Sequence, residues 1–357
     1  MDGTALVFCE GAFGRPEGKT ANGLVRFGQR YDVLGVIDSS HAGRDAGDVI
    51  AGVTRKVPIF SSLHQAVEAL NRQPEFLVFG LNPADGRLPP EHRRVVREAL
   101  RLGISVDSPL RPFLHEDAEF PGLAMQSSAR LRSVGYPKPL GQLRAYTGAV
   151  ADVRAFRIAV VGTHSVVGKR TTAVRLTERL GALGLNAEMI GTGQTSWLQG
   201  VRSTVILSSI LSGYVAGELE GAIVDAWSKY RPAVMVLEGQ GSVLNRANPS
   251  GLELLTTARP DAIVMQHAPT HSSIAADDPY GIGTLERHIR VAELLSGARV
   301  VAITVNPDGT DETNVKIATE RFLDRFGLLV VDVLRDPSDS LARHVADLLG
   351  TSRSHGA

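Results

Sequence analysis

The sequence has almost no cysteine. Cys9 is the single one in 357 residues, so no intrachain disulfide forms and a reducing cytoplasm is the simplest compartment. It also lacks charge of one sign. Lys plus Arg and Asp plus Glu number 38 each, with no block of like charge, which excludes the electrostatic footprint of a nucleic-acid or anionic-membrane partner. Long apolar runs are missing too: AVMVL at 233–237 and LLVVDVL at 328–334 are strand-sized, well short of the ~18 residues of a membrane span. The N-terminus has no basic segment followed by an apolar stretch and a small-residue cleavage site. Internal repeats and low-complexity tracts are absent. What remains is a cytoplasmic protein that acts on a small molecule.

The length exceeds one ordinary domain of about 100 to 200 residues, so two cores are expected. The first third alternates strand and helix: ALVFCE, YDVLGVID, a helix from Ser62 to Asn71, EFLVFGL, a helix from Glu91 to Leu102, then ISVD. That order predicts a parallel sheet covered by helices. From Glu116 to Val153 the period is lost among Pro121, Gly122, Gly135, Pro137, Pro139, Gly141 and Gly148, which reads as a linker. The boundary is placed near Ala151, giving domains 1–150 and 151–350. The second begins with the strand FRIAVVG and the amphipathic stretch TTAVRLTERLGALG, apolar at Ala173, Leu176, Leu180 and Leu183. Strands AVMVLEG, AIVMQH and RVVAITVN follow, with a helix from Ile282 to Leu295. The fold class is α/β: a Rossmann-like parallel-sheet N-terminal domain and a doubly wound P-loop NTPase-like C-terminal domain.

Between FRIAVVG and its helix stands GTHSVVGKRTT, where backbone N–H groups and the positive end of a helix hold phosphate oxygens. The binding candidates are Gly162, Thr163, Gly168, Lys169, Arg170, Thr171 and Thr172. The strict pattern has Gly where Thr163 stands and Ser or Thr where Arg170 stands. Two registers therefore remain open: Lys169 as the β/γ-phosphate cation with Thr171 or Thr172 on Mg²⁺, or Arg170 as the cation with Thr171 on the metal. A plain strand-to-helix turn with an incidental basic pair is the bland alternative, which the flanking elements disfavour. GRPEGKT at 14–20 looks similar, but only three residues separate its glycines and no clear apolar helix follows, so it reads as a loop.

Glu238 ends AVMVL just before GQGS and is the acid/base or Mg²⁺ candidate outside the loop. GTGQTSWLQG at 191–200 offers neutral hydrogen-bonding groups at the ligand end of the sheet. Asn306, before Pro307, can read a purine edge, although Asn-Pro is also an ordinary turn starter. His267 and His271 are spaced for a metal only on a helix, which Pro269 argues against. Asp38 stands where dinucleotide folds hold a ribose, but no G-x-G-x-x-G turn follows the first strand.

GTHSVVGKRTTA, IGTGQTSWLQG, YVAGELEGA and VLEGQGS, preceded by EGAFGRPEGKTANGLVRF and VIDSSHAGRDAG, together resemble the two-domain P-loop family whose characterised activity is D-glutamate N-acetyltransferase. The resemblance runs over residues 5–340 or so. It implies a Rossmann-like domain, a P-loop domain akin to dethiobiotin synthetase, and acetyl transfer from acetyl-CoA to the amine of an acidic amino acid. Carried over by position, Gly168, Lys169, Arg170 and Thr171 bind phosphate, Gln194 and Thr195 line the substrate side, and Glu238 serves metal or proton transfer. Two departures stand out: His164 and Ser208 replace aspartates usual in the family, and His164 can itself act as a base. The expected catalytic set is Glu238, His164 and Lys169, with acetyl-CoA or ATP as cofactor and Mg²⁺ on Thr171 and Glu238. The alternatives are an ATP/Mg-dependent ligase or kinase, and a nucleotide-binding protein without turnover. By analogy with doubly wound P-loop enzymes, a homo-oligomer is expected.

Overall fold

In the computed structural model, which describes residues 1–246, 249–270, 281–307 and 312–354, the apolar runs of the first third become short parallel strands. They are β1 (Gly3–Phe8), β2 (Tyr31–Ile37), β3 (Ile59–Phe60), β4 (Phe76–Phe79), β5 (Ser105–Ser108) and β6 (Leu131–Ser133). Their order is β3-β2-β1-β4-β5-β6, which is the dinucleotide-fold order with its switch point between β1 and β4. Helices α1 (Lys19–Phe27), α2 (Leu63–Leu70), α3 (Arg93–Arg101) and α4 (Phe120–Ser127) connect the strands. Val7, Val36, Leu77 and Phe79 are fully buried, as strands covered on both faces require. Ser62 caps α2 by accepting from the Gln65 N–H, and Asn71 closes the helix in the left-handed conformation.

Several expectations change. GRPEGKT does lead into a helix, α1, whose Ala21, Leu24 and Val25 are buried. The supposed linker after Glu116 contains α4 and β6. Pro121 sits in the first turn of α4, where no N–H is needed, and Asp117 accepts from the N–H of Glu119 and Phe120 at 3.0 and 3.4 Å. Proline and glycine therefore mark a helix start there and not a structureless stretch.

The second sheet has β7 (Phe156–Gly162), β8 (Ala187–Gly191), β9 (Ser203–Thr204), β10 (Val234–Glu238), β11 (Ala262–His267), β12 (Arg299–Val305) and β13 (Leu329–Val331), ordered β13-β12-β11-β7-β10-β8-β9. Every pairing is parallel. Its helices are α5 (Lys169–Ala182), α7 (Val215–Tyr230), α8 (Ser250–Ala258), α9 (Leu285–Ser296), α10 (Glu312–Phe326) and α11 (Ser340–Ser354). Ala173, Leu176 and Leu180 of α5 are buried, whereas Leu183, just past the helix end, is exposed. No described helix is long and apolar enough to cross a membrane.

Two units result: Met1–Pro137 with Gln194–Val201, and Lys138–Gly193 with Arg202–Ala357. The division thus falls before the expected boundary near Ala151, and two buried glutamates of α7 are the reason. Glu218 accepts from Lys138 Nζ (2.6 Å) and from the Arg144 N–H (2.9 Å). Glu220 accepts from the Thr147 N–H (2.7 Å), the Thr147 hydroxyl (2.8 Å) and the Val150 N–H (3.2 Å). The GTGQTSWLQG segment after β8 forms a helix, α6 (Gln194–Gln199), which packs on α1 within the first unit.

Candidate phosphate-binding site

β7 is flanked by β10 and β11, in a register that sets Glu238 opposite Val160 and Gln266 opposite Gly162. The chain leaves β7 at Gly162, turns through residues 163–168 with left-handed backbone at Val166 (φ 64°) and Gly168 (φ 110°), and enters α5 at Lys169. A valine in that region is strained. The loop therefore keeps a shape that its own sequence does not favour, at the positive end of a 14-residue helix.

Lys169 is buried, and its ammonium donates to the His164 carbonyl at 2.6 Å. Its stem runs between the ends of two neighbouring strands. A Cβ at Gly162 would stand 3.1 Å from Lys169 Cδ, and one at Gly239 would stand 3.5 Å from the same atom. The glycine that ends β7 and the one that follows β10 thus leave a channel for the lysine. Arg170, the other cation considered, is half-buried; burial lowers its pKa and the charge of Glu238 raises it. The structure therefore turns Lys169 back over the loop and sets Arg170 within reach of the Glu238 charge.

Gln266 organises the remaining side. Its Oε1 accepts from the hydroxyls of Thr172 and Thr304, which ties α5 to β11 and β12. A Cβ at Gly168 would lie 3.4 Å from Gln266 Nε2 and 3.7 Å from Asn306 Nδ2, so both amides border the loop. Thr163 pairs with His267 Nδ1 at 3.0 Å. The Thr172 hydroxyl thus fastens α5 to the Gln266 amide, and Thr171 is half-buried. Sequence reasoning missed Gln266, although a lone amide inside the apolar run AIVMQH was the available signal.

Glu238 is buried and its carboxylate accepts from the Thr192 N–H at 2.9 Å, while its carbonyl takes the Thr192 hydroxyl at 2.7 Å. Among the described residues no group of three His, Cys, Asp or Glu side chains gathers to hold a metal. His164 is half-buried in the loop, Ser208 is exposed in the turn at Leu207–Ser209, and His271 lies outside the described residues.

The residues expected on the substrate side fall in the first unit. Thr195 is buried and its hydroxyl pairs with that of Thr20 at 2.7 Å. Gln194 is half-buried and donates to Asn82 Oδ1 at 3.4 Å. Asp38 is fully buried and accepts from the N–H groups of Gly11 (3.1 Å), Phe13 (3.1 Å) and Ser40 (3.0 Å). Its oxygens are committed to the chain itself, which leaves no ordinary ribose contact there. Burial raises the Asp38 carboxyl, but hydrogen bonds from Ser40, His41 and Gly11 outweigh it and hold the group below its usual value.

Residues 39–137 match a Rossmann-like domain of unknown function, DUF1611_N, and residues 144–342 match the P-loop domain DUF1611_C. A D-glutamate N-acetyltransferase from Tritonibacter scottomollicae is 27% identical over 282 residues, spanning 76% of this chain and 80% of that one. Another protein of that name, from Pseudoalteromonas sp, is 27% identical over 284 residues, spanning 78% and 83%. The crystal structure of a DUF1611 family protein from Anabaena variabilis superposes with a TM-score of 0.86 at 26% identity, covering 96% of this chain and 99% of that one. With both of its units matched and its fold shared from end to end, the chain belongs to the DUF1611 family.

Proposed function

We propose that this protein is an N-acyltransferase that moves an acetyl group from acetyl-CoA to the amine of an acidic amino acid. The observation that carries the reading is the loop at 163–168 with Lys169 threaded between Gly162 and Gly239, an anion cradle suited to coenzyme A phosphates, in a chain whose relatives bear the name D-glutamate N-acetyltransferase.

In this reading Lys169 and the amino end of α5 hold phosphate. Arg170 adds positive charge beside Glu238, where a phosphoryl-transfer enzyme places a metal ion. The acceptor amine, once free of its proton, attacks the thioester carbonyl; the new C–N bond forms, the C–S bond breaks, and coenzyme A leaves as the thiol.

The test is mass spectrometry of the purified protein with acetyl-CoA and D-glutamate, with and without Mg-ATP, alongside Lys169→Ala. N-acetylglutamate formed without ATP and lost in the variant is the expected result. Substrate-dependent ADP release would replace the reading with a ligase or kinase. Tight nucleotide binding without product would replace it with a binding protein.

A further inference from the structure

The residue after the lysine decides what a loop of this kind offers beside its phosphate. The strict pattern sets a hydroxyl there, which binds Mg²⁺ together with a carboxylate from a neighbouring strand end. Glu238 stands at such a strand end, but the place of the hydroxyl is taken by Arg170. The two positions lie side by side within the second unit. Glu238 is opposite Val160, the Gly239 N–H donates to the Val160 carbonyl at 2.9 Å, and a Cβ on Gly239 would stand 3.5 Å from Lys169 Cδ. The end of β10 therefore adjoins the first residue of α5, and the charge of Glu238 acts on the guanidinium of the second.

The far edge of the loop presents donors as well. The Thr172 and Thr304 hydroxyls fix Gln266 Oε1, which leaves Nε2 as the side of the amide facing Gly168, and Asn306 Nδ2 borders the same glycine. With Lys169 and the amino end of α5, these groups offer hydrogens, whereas Mg²⁺ takes oxygen ligands. A dication beside Arg170 would also face a permanent positive charge.

The plain alternative is an ion pair that ties α5 to β10 and meets no ligand. It accounts for Arg170 beside Glu238, but not for the start of the helix. α5 opens on two cations with no acidic residue in its first turn, which its own dipole opposes. One carboxylate against two cations and a positive helix end leaves the site with net positive charge, suited to an anion.

We propose that Arg170 stands in for the divalent cation of a P-loop, so that the second unit holds a pyrophosphate diester of the coenzyme A type without a metal. The guanidinium and the Lys169 ammonium take phosphate oxygens, and Glu238 holds the guanidinium in place. A doubly charged diester suits such a site better than a triphosphate, whose higher charge calls for a metal. The identity of the ligand rests on the acyltransferase reading; its independence of metal is measured without any transfer.

The test is calorimetric titration of the full-length protein with coenzyme A and with ATP, each in EDTA and in excess Mg²⁺, for wild type, Arg170→Ser and Arg170→Lys. Wild type is expected to bind coenzyme A more tightly than ATP in EDTA, with neither ligand gaining more than about twofold from Mg²⁺. Arg170→Ser restores the hydroxyl of the strict pattern. It should lose about tenfold of its coenzyme A affinity in EDTA and bind ATP about tenfold more tightly with Mg²⁺ than without, while Arg170→Lys keeps part of the coenzyme A affinity. A larger gain from Mg²⁺ in wild type, or no binding of coenzyme A in EDTA, overturns the inference and requires no variant to fold. Arg170→Ser that unfolds at a lower temperature yet binds coenzyme A as wild type does overturns it in favour of the plain ion pair. If metal-free binding through Arg170 is found but no acetylated product forms, the acyltransferase reading fails and the metal-free site stands.

Discussion

The two units place a loop at the same topological point, between the central strand and the helix that follows it, and fill it in opposite ways. After β1 the loop amides of residues 11 and 13 are bound by Asp38, a carboxylate from the neighbouring strand. After β7 the loop is held from its edges by Gln266 and crossed by a lysine. One loop carries its own anion; the other carries a cation instead. A shared fold thus does not imply a shared ligand, and the residues after the adjacent strands decide which outcome is reached: Asp38 after β2 in one case, Gly239 after β10 in the other.

The largest test of this contrast is Lys169→Ala, which should weaken coenzyme A binding about 100-fold by calorimetry, because a charge-assisted contact to phosphate is lost. Unchanged affinity would mean that the second loop binds no phosphate. Next, Asp38→Asn should lower stability by about 2 to 3 kcal/mol in urea unfolding at pH 7, since an amide cannot accept from all the N–H groups that meet there. The folded-state carboxyl lies below its ordinary value, so its contribution is full above an unfolded pKa of about 3.9 and is lost as pH falls through the lower folded value. The gap between wild type and variant should therefore narrow on acidification toward pH 3.

A smaller effect is expected from Gly162→Ala, whose methyl meets Val167 Cγ2 at 2.9 Å and the Lys169 stem at 3.1 Å. Displacing the lysine should reduce coenzyme A affinity about tenfold and cost about 1 to 2 kcal/mol of stability. The smallest is Glu220→Gln, which weakens the hold on residues 147–150 and should speed tryptic cleavage at Arg144 several-fold.

Most of the architecture was legible in the sequence, because buried parallel strands read as apolar runs and the phosphate loop sits between a strand and an amphipathic helix. The misreadings have one cause in common. In α4 and α1 the local signals, Pro121 with Gly122 and the crowded GRPEGKT, mark helix beginnings, and helix beginnings share their residues with loops. The candidate site was legible as a motif but not as a register. Neither Gly162 nor Gly239 announces that a lysine stem passes between them, because that depends on which strands are neighbours. Nor does the sequence announce that the Thr195 hydroxyl meets that of Thr20 inside the fold.

The two glutamates of α7 also set the smallest piece of this chain that can be complete. A fragment begun at β7, where the apolar pattern starts, would keep Glu218 and Glu220 in their helix but discard Lys138, Thr147 and Val150, leaving two buried carboxylates facing nothing that can answer them. The second unit therefore begins at Lys138, well before its first strand opens at Phe156, in a stretch whose composition looks like mere connection.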